Sequence, residues 1–442
     1  MAWNDIQIHL NYTHIFFILF LASTFIDFGV NQWLEYIDYR HRQKHGREIP
    51  SEFVGYIDAV TVEKSVQYED AKYKYWVPKN ILSLGLGLAL VFSGFYPHIF
   101  YLIRTFTQNT FLTALCFLVL ASLPESIIFL PFRLYREFSI EKRFGFSTMT
   151  LKLWVLDELK GLLVNALLAV PLLFAMIFVL EHANGWWWLL LGGIYVAFSL
   201  LLSLLYPAFI APLFNKFTPL EDGELKDMLM QELSQTGFKA SGLFVMDASK
   251  RSKHSNAYFT GFGKTKRVVL YDTLIAQLSP EEIKAVLAHE LGHYKHHHII
   301  KKLAVSIPLI FIILFAVSLF LGNPDLYTTF GFALSSADLT TAAGTESASV
   351  LPHLQFLGLF LTGIVFGGFS TLISPITNHF SRKDEFQADA YAKQLCGTGK
   401  TLSSSLIKLN KENLSELTEP KIYSIFNYSH PPLIERIRAV AD

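Results

Sequence analysis

Seven apolar stretches, each long enough to cross a bilayer as a helix, constrain this chain more than any other feature of its sequence. They run roughly over 9–34, 78–103, 110–130, 161–181, 186–210, 303–322 and 353–380. A hydrocarbon core about 30 Å thick takes about 20 helical residues to span. Buried helices of a large soluble protein rarely recur at this length. Only 17% of the residues are charged, against roughly 25% in an ordinary soluble domain. The reading is a mainly α polytopic membrane protein.

The basic residues sort by segment. All but Arg104 of the 37 Lys and Arg residues lie in four places. These are the first connection (Arg40 to Lys79), the third (Arg133 to Lys160), the fifth (211–302) and the tail from 381. The second connection holds only Arg104, and the fourth, EHANG from Glu181, and the sixth, 323–352, hold none. The positive-inside rule makes the four basic segments cytoplasmic, with the N-terminus outside and the C-terminus inside. The opening MAWNDIQIHLNY lacks a basic region and a cleavage pattern, so the first stretch is expected to be a retained span. Trp186, Trp187 and Trp188 are expected to form an interfacial belt. Residues 323–352 read as a polar exterior linker, and no internal repeat marks a two-halved transporter.

Composition removes other classes. Lys plus Arg equals Asp plus Glu at 37 each, so no general attraction to nucleic acid is expected. The short basic run SKRSKH from Ser249 faces lipid headgroups or solvent more simply than nucleic acid. Two cysteines, Cys116 and Cys396, make neither a disulfide scaffold nor a four-thiolate site. Any metal therefore falls to His and carboxylates.

The chemistry lies in the fifth connection. KRVVLYDTLI, 266–275, has the β-branched and aromatic core of a buried strand. Next comes SPEEIKAVLAHELGHYKHHHIIKK. Ser279 is an N-cap, Pro280 suits the first helical position and Glu282 completes a capping box, so a helix begins here and is expected to run on toward the sixth span. It carries HELGH, 289–293. Residues four apart share a helix face, so His289 and His293 can offer ring nitrogens to one zinc ion at about 2.0–2.1 Å. Glu290, beside the first ligand, is placed to act as general base on a zinc-activated water that attacks a polarised carbonyl.

Two histidines leave such a site short of its usual three protein ligands. His297 lies about 12 Å along an unbroken helix from His289 and cannot share its ion. His296, His297 and His298 are read as interfacial polar residues. The better third ligand follows the seventh span, in SRKDEFQADAYAKQL from Ser381, where Glu385 and Asp389 share a helix face. A His, His, Glu set resembles thermolysin-type sites, and Asp389 could orient a ligand histidine or pass protons; taken alone, a solvated acidic pair is the simpler reading of the two carboxylates. The chain then divides into a membrane region with five spans (1–210), a metalloprotease segment (211–302), the last two spans (303–380) and a C-terminal part that completes the site (381–442).

Four stretches closely resemble the type I CAAX prenyl proteases, integral-membrane zinc endopeptidases. They are SKRSKHSNAYFTGFGKTKRVVLYDTL from Ser249, HELGHYKHHH from His289, SRKDEFQADAYA from Ser381 and YSHPPLIERI from Tyr428. PFRLYREFSIEKRFGFSTMTLKLWVLDELKG from Pro131 resembles the segment before that family's fourth span. The resemblance implies seven helices around an intramembrane chamber, with a gluzincin-like zinc domain and a small β element at its cytosolic end. It implies one zinc on His289, His293 and Glu385, Glu290 as general base and Asp389 as proton donor or orienter. It implies that Asn256 and Ala257 hold the substrate backbone as a strand edge holds a peptide. His430 would stabilise the oxyanion, and Arg436 would serve the substrate side by holding Glu385 or the same site together.

The implied activity removes the last three residues of prenylated C-a-a-X proteins or peptides. A prenyl chain gains about 0.8 kcal/mol per buried CH₂ from apolar surroundings. Glu125 and Asp27 are then expected on the chamber side or at its mouth. The C-terminal AVAD shows no ER-retrieval signal, which favours a bacterial inner membrane. A broad-specificity membrane-protein protease is the alternative, followed by a chamber protein with structural zinc. Oligomeric state has no signature in the sequence.

Overall fold

A computed structural model of the chain describes residues 8–238, 241–260, 266–335, 338–341 and 348–442. Outside the described residues lie the first seven, 239–240, 261–265 of the stretch from Ser249, and 336–337 and 342–347 of the polar linker.

Seven helices are long and apolar enough to cross a membrane: Ile15–His45, Ala59–Phe92, Thr110–Ile128, Leu151–His182, Trp187–Phe214, His298–Leu321 and Pro352–Cys396. Each packs on its neighbour in sequence, with the short helix Phe95–Phe106 linking the second to the third. The segment Gln355–Phe366 returns to Ile15–His45 and closes the ring. Within their apolar windows only 6% of Ala59–Phe92 and none of His298–Leu321 is buried. So little burial leaves most of the apolar surface of these two spans outside the packed interior.

Two spans differ from the sequence reading. The stretch 78–103 is not one helix: Ala59–Phe92 starts well before it, capped by Asp58, and ends at Gly94. Gly94 takes φ +65°, a conformation that costs glycine little and turns the chain into Phe95–Phe106. The seventh span ends a straight segment at Phe366, passes through a tight turn at Gly367–Phe369, and continues as Ser370–Cys396 into the polar part of the chain. The tryptophan triplet also divides. Trp187 is packed inside the apolar cluster at 4% exposure, while Trp186 is 67% exposed.

The four basic segments meet at one end of the ring. Arg42 on the first span bonds Asp38 and Glu416 and lies 2.9 Å from Asp70 on the second. Arg251 clasps Asp157 at 2.8 and 3.0 Å, and Arg438 bonds Glu52 at 2.6 Å. The basic-poor segments meet at the opposite end, where Asn11 N donates to Thr329 O at 3.1 Å and Tyr101 Oη donates to Ala333 O at 3.0 Å.

At the basic end sits a four-stranded sheet of β1 (Phe217–Pro219), β2 (Gly242–Met246), β3 (Ala257–Thr260) and β4 (Arg267–Tyr271), in the order β1-β2-β4-β3. β2 and β4 are parallel and the outer pairings antiparallel. Val268, Val269 and Leu270 are all buried, the continuous apolar run of a strand covered on both faces. The helices Glu224–Gln235 and Pro280–Lys295 pack together beside this sheet.

Candidate metal centre

The helix Pro280–Lys295 begins where its sequence dictates. Glu282 N donates to Ser279 Oγ and Ser279 N donates to Glu282 Oε2, a complete capping box. Its small buried residues Ala285, Ala288 and Gly292 lie against Ser370–Cys396, whose Ala388 and Ala392 are equally buried. That close packing sets the HELGH residues against Glu385 and Asp389.

His289 Nε2 and His293 Nε2 lie 3.2 Å apart. Glu385 Oε2 is 3.3 Å from the first and Glu385 Oε1 is 3.4 Å from the second. Tetrahedral ligands about 2.0–2.1 Å from zinc stand about 3.3–3.4 Å from one another. The two ring nitrogens and the Glu385 carboxylate therefore sit at about the spacing that ligands of one zinc ion take, each histidine facing a different carboxylate oxygen. Glu385 Oε2 is buried without a hydrogen-bond partner, which is the orphan an ion satisfies. Among the described residues this is the only His, Cys or carboxylate group so disposed. The solvated-pair reading of Glu385 and Asp389 is overturned, since they are 4% and 0% exposed.

The electrostatics favour positive charge. Burial opposes a charged His289, but its hydrogen bond to Asp389 and the facing Glu385 carboxylate outweigh it and raise the imidazole pKa to about 9. A cation at Nε2 meets the same demand. Burial, with the neighbouring His289, lowers His293 to about 4, which keeps its lone pair free for a ligand bond. Burial raises the Glu290 carboxyl above its ordinary value against a smaller pull from His289, the direction that makes a carboxylate a better general base near neutral pH.

Other predicted residues fall around this core. Asp389 Oδ1 accepts from His289 Nδ1 at 2.8 Å. Arg436 holds both Asp389 oxygens, at 2.8 and 2.7 Å, and reaches Glu385 only at 3.9 Å, so its main partner is Asp389. His430 Nε2 lies 3.4 Å from Glu385 Oε1, with a side chain 64% exposed and thus open to a substrate. It borders a cavity of about 790 Å³ whose far wall includes Glu35 and Arg42 of the first span. Ala257 starts β3, which pairs only with β4 among the described strands, and the motif helix packs on it. Asn256 Oδ1 accepts from Ala257 N at 2.8 Å. Deeper among the spans, Asp27 bonds Thr371 and lines a smaller cavity with Asn80.

The triple histidine is corrected. The helix stops at Lys295, His297 adopts φ +56°, and a new helix starts at His298. The helix expected to run on toward the sixth span is therefore two. His298, read as interfacial, is 1% exposed, with its Nδ1 2.9 Å from His293 Nδ1. On an unbroken helix it would lie about 140° round from His293. No spacing rule finds it, although a non-glycine break inside HHH is the place to look.

Two family profiles together cover most of the chain. Residues 38–216 match one described as the CAAX prenyl protease N-terminal region with five membrane helices, and residues 219–442 match peptidase family M48. The chain is 34% identical to CAAX prenyl protease 1 of Saccharomyces cerevisiae, over 92% of this chain and 91% of that protein. It is 37% identical to the CAAX prenyl protease 1 homolog of Arabidopsis thaliana, over 89% and 90%. The crystal structure of S. mikatae Ste24p matches with a TM-score of 0.86 at 33% identity, covering 97% of this chain and 99% of that one.

Proposed function

The chain belongs to peptidase family M48, among its CAAX prenyl proteases, and is a membrane metalloprotease; on that footing we propose that it removes the C-terminal three residues of prenylated C-a-a-X proteins or peptides at the cytosolic face. The observation that carries the reading is the His289, His293 and Glu385 group with Glu290 beside it, on a helix packed against β3, whose second edge is unpaired among the described residues, at the basic end of a ring of spans. The basic end is the cytosolic one by the positive-inside rule.

His289, His293 and Glu385 hold one zinc, whose chemistry is Lewis-acid polarisation of a carbonyl and activation of water. The substrate backbone adds to the edge of β3, with Asn256 and Ala257 positioning it near the scissile bond. Glu290 takes the proton of the attacking water and delivers it to the departing amine. His430, exposed beside Glu385, donates to the oxyanion. Asp389 fixes the Nδ1 proton of His289, and Arg436 holds Asp389. The prenyl group lies among the apolar faces of the spans while the peptide reaches the metal.

Cleavage of matched peptides, one farnesylated at its C-a-a-X cysteine and one not, by purified protein in detergent tests this, with Glu290→Ala as control. Glu290-dependent cleavage of the prenylated peptide alone is expected. Equal cleavage of both identifies a broader membrane protease, and no cleavage by zinc-loaded protein identifies a structural metal.

A further inference from the structure

His293 differs from His289 in what holds its second ring nitrogen. His289 Nδ1 meets Asp389 directly. His293 Nδ1 meets no carboxylate but another imidazole, His298 Nδ1, at 2.9 Å. The opposite nitrogen of His298 lies 3.1 Å from Gln387 Oε1 and 3.5 Å from Asp384 Oδ1.

With His293 Nε2 given to the metal, these contacts set the protons of His293 and His298. His293 Nε2 faces His289 and Glu385, so its lone pair belongs to the metal and its proton sits on Nδ1. At 2.9 Å one of the two facing nitrogens must donate, so His298 Nδ1 accepts. The proton of His298 is then on Nε2, pointing at Asp384 and Gln387. A carboxylate only accepts, so the direction holds whichever way the Gln387 amide is turned. The break at His296 and His297 is what swings His298 back over His293.

We propose that His298 is a positioning residue that fixes the tautomer and ring plane of His293, relaying Asp384 and Gln387 to the second zinc ligand. Both ligand histidines are thereby anchored at Nδ1 to the helix Ser370–Cys396, which also carries Glu385. This proposal rests on the reading of His289, His293 and Glu385 as the metal ligands.

The test uses the full-length protein in detergent, with zinc affinity measured by chelator competition and the visible spectrum of the Co²⁺-substituted protein. His298→Phe keeps the ring volume and removes the acceptor; zinc affinity falls by about 10–100-fold and the cobalt spectrum changes. His298→Asn places an amide oxygen near the Nδ1 position and retains affinity within a few-fold. Equal affinity in both variants and the unaltered protein overturns the proposal, as does an equal loss in both, which would mean that packing alone is needed. Should both variants fail to fold, the pair Asp384→Ala with Gln387→Leu removes the outer acceptors: several-fold weaker zinc is expected, and unchanged zinc overturns the proposal. Zinc uptake is read without peptide, so a wrong substrate assignment leaves the result intact. Failure of the unaltered protein to bind zinc overturns the metal reading and the proposal with it.

Discussion

Gly292 stands so close to Ala388 that a Cβ on it would lie 2.7 Å from the Ala388 Cα and 2.9 Å from its carbonyl oxygen. The glycine of HELGH is thus a contact point between the two helices that carry His289, His293 and Glu385. Gly292→Ala must force these backbones apart, at about 1–3 kcal/mol for overpacking a fitted interior. We expect a lower thermal midpoint and at least about tenfold weaker zinc, since displaced ligands lose their common centre. Gly161, with nothing within 4 Å of its Cβ position, is the control, and Gly161→Ala leaves zinc affinity unchanged.

Glu290 separates chemistry from metal binding. It lies beside the ligand triangle, outside the three-residue ligand group. Glu290→Ala should keep zinc and lose turnover by at least about 10²-fold, the ordinary contribution of a general base. Metal content and single-turnover cleavage measured on the same preparation decide it, and normal turnover removes the assigned role.

Glu385 gives the opposite pattern. Its two oxygens close the triangle on His289 and His293, and Glu385→Ala deletes one of three protein ligands. Zinc occupancy after dialysis against a weak chelator should fall, with activity falling in parallel and recovering partly in excess zinc. Unchanged occupancy would show that the ion is held elsewhere.

The seven spans, the sorting of basic segments to one end and the capped HELGH helix were legible because each depends on local pattern: length of apolar run, charge by segment, and capping residues. Glu385 as a third ligand is an expectation from spacing and resemblance; in sequence Glu385 and Asp389 look like a solvated pair, and only the contact of Gly292 with Ala388 brings their helix against the motif. His298 was not legible, because its role depends on a positive φ at His297, and no glycine announces it. The split at Gly94 was missed because both sides of the turn are apolar. Tertiary contact decides each of these, and periodicity does not see it.

Arg42 holds the basic end of the ring together. Its side chain is 3% exposed and bonded to Asp38, Asp70 and Glu416, from the first span, the second and the C-terminal part. Arg42→Ala leaves buried carboxylates without their cation, which costs roughly 3–5 kcal/mol when one partner of a buried pair is removed. Arg42→Lys keeps the charge without the planar fork and should fall between. Thermal unfolding in detergent ranks the three; an Arg42→Ala midpoint equal to the unaltered protein would show that the cluster contributes nothing to stability.

Glu232 makes stability depend on pH. It is 1% exposed on Glu224–Gln235, against the motif helix, and neither carboxylate oxygen has a hydrogen-bond partner. Burial raises its pKa to about 7, and Lys284 offsets this only partly. Tyr391 and Cys396 on Ser370–Cys396 are its other titratable neighbours. With the folded pKa above the unfolded one, the native state binds the proton more tightly. The stability this brings is complete below the unfolded value of about 4.3 and is lost as pH rises through about 7, because the ionised carboxylate must then stay buried. Glu232→Gln keeps the shape and cannot ionise. It should nearly match the unaltered protein near pH 4.5 and exceed it above pH 8 by roughly 3–4 kcal/mol. Thermal midpoints of both proteins in one detergent at the two pH values measure the difference, and a gap independent of pH would show that Glu232 does not titrate in the folded chain.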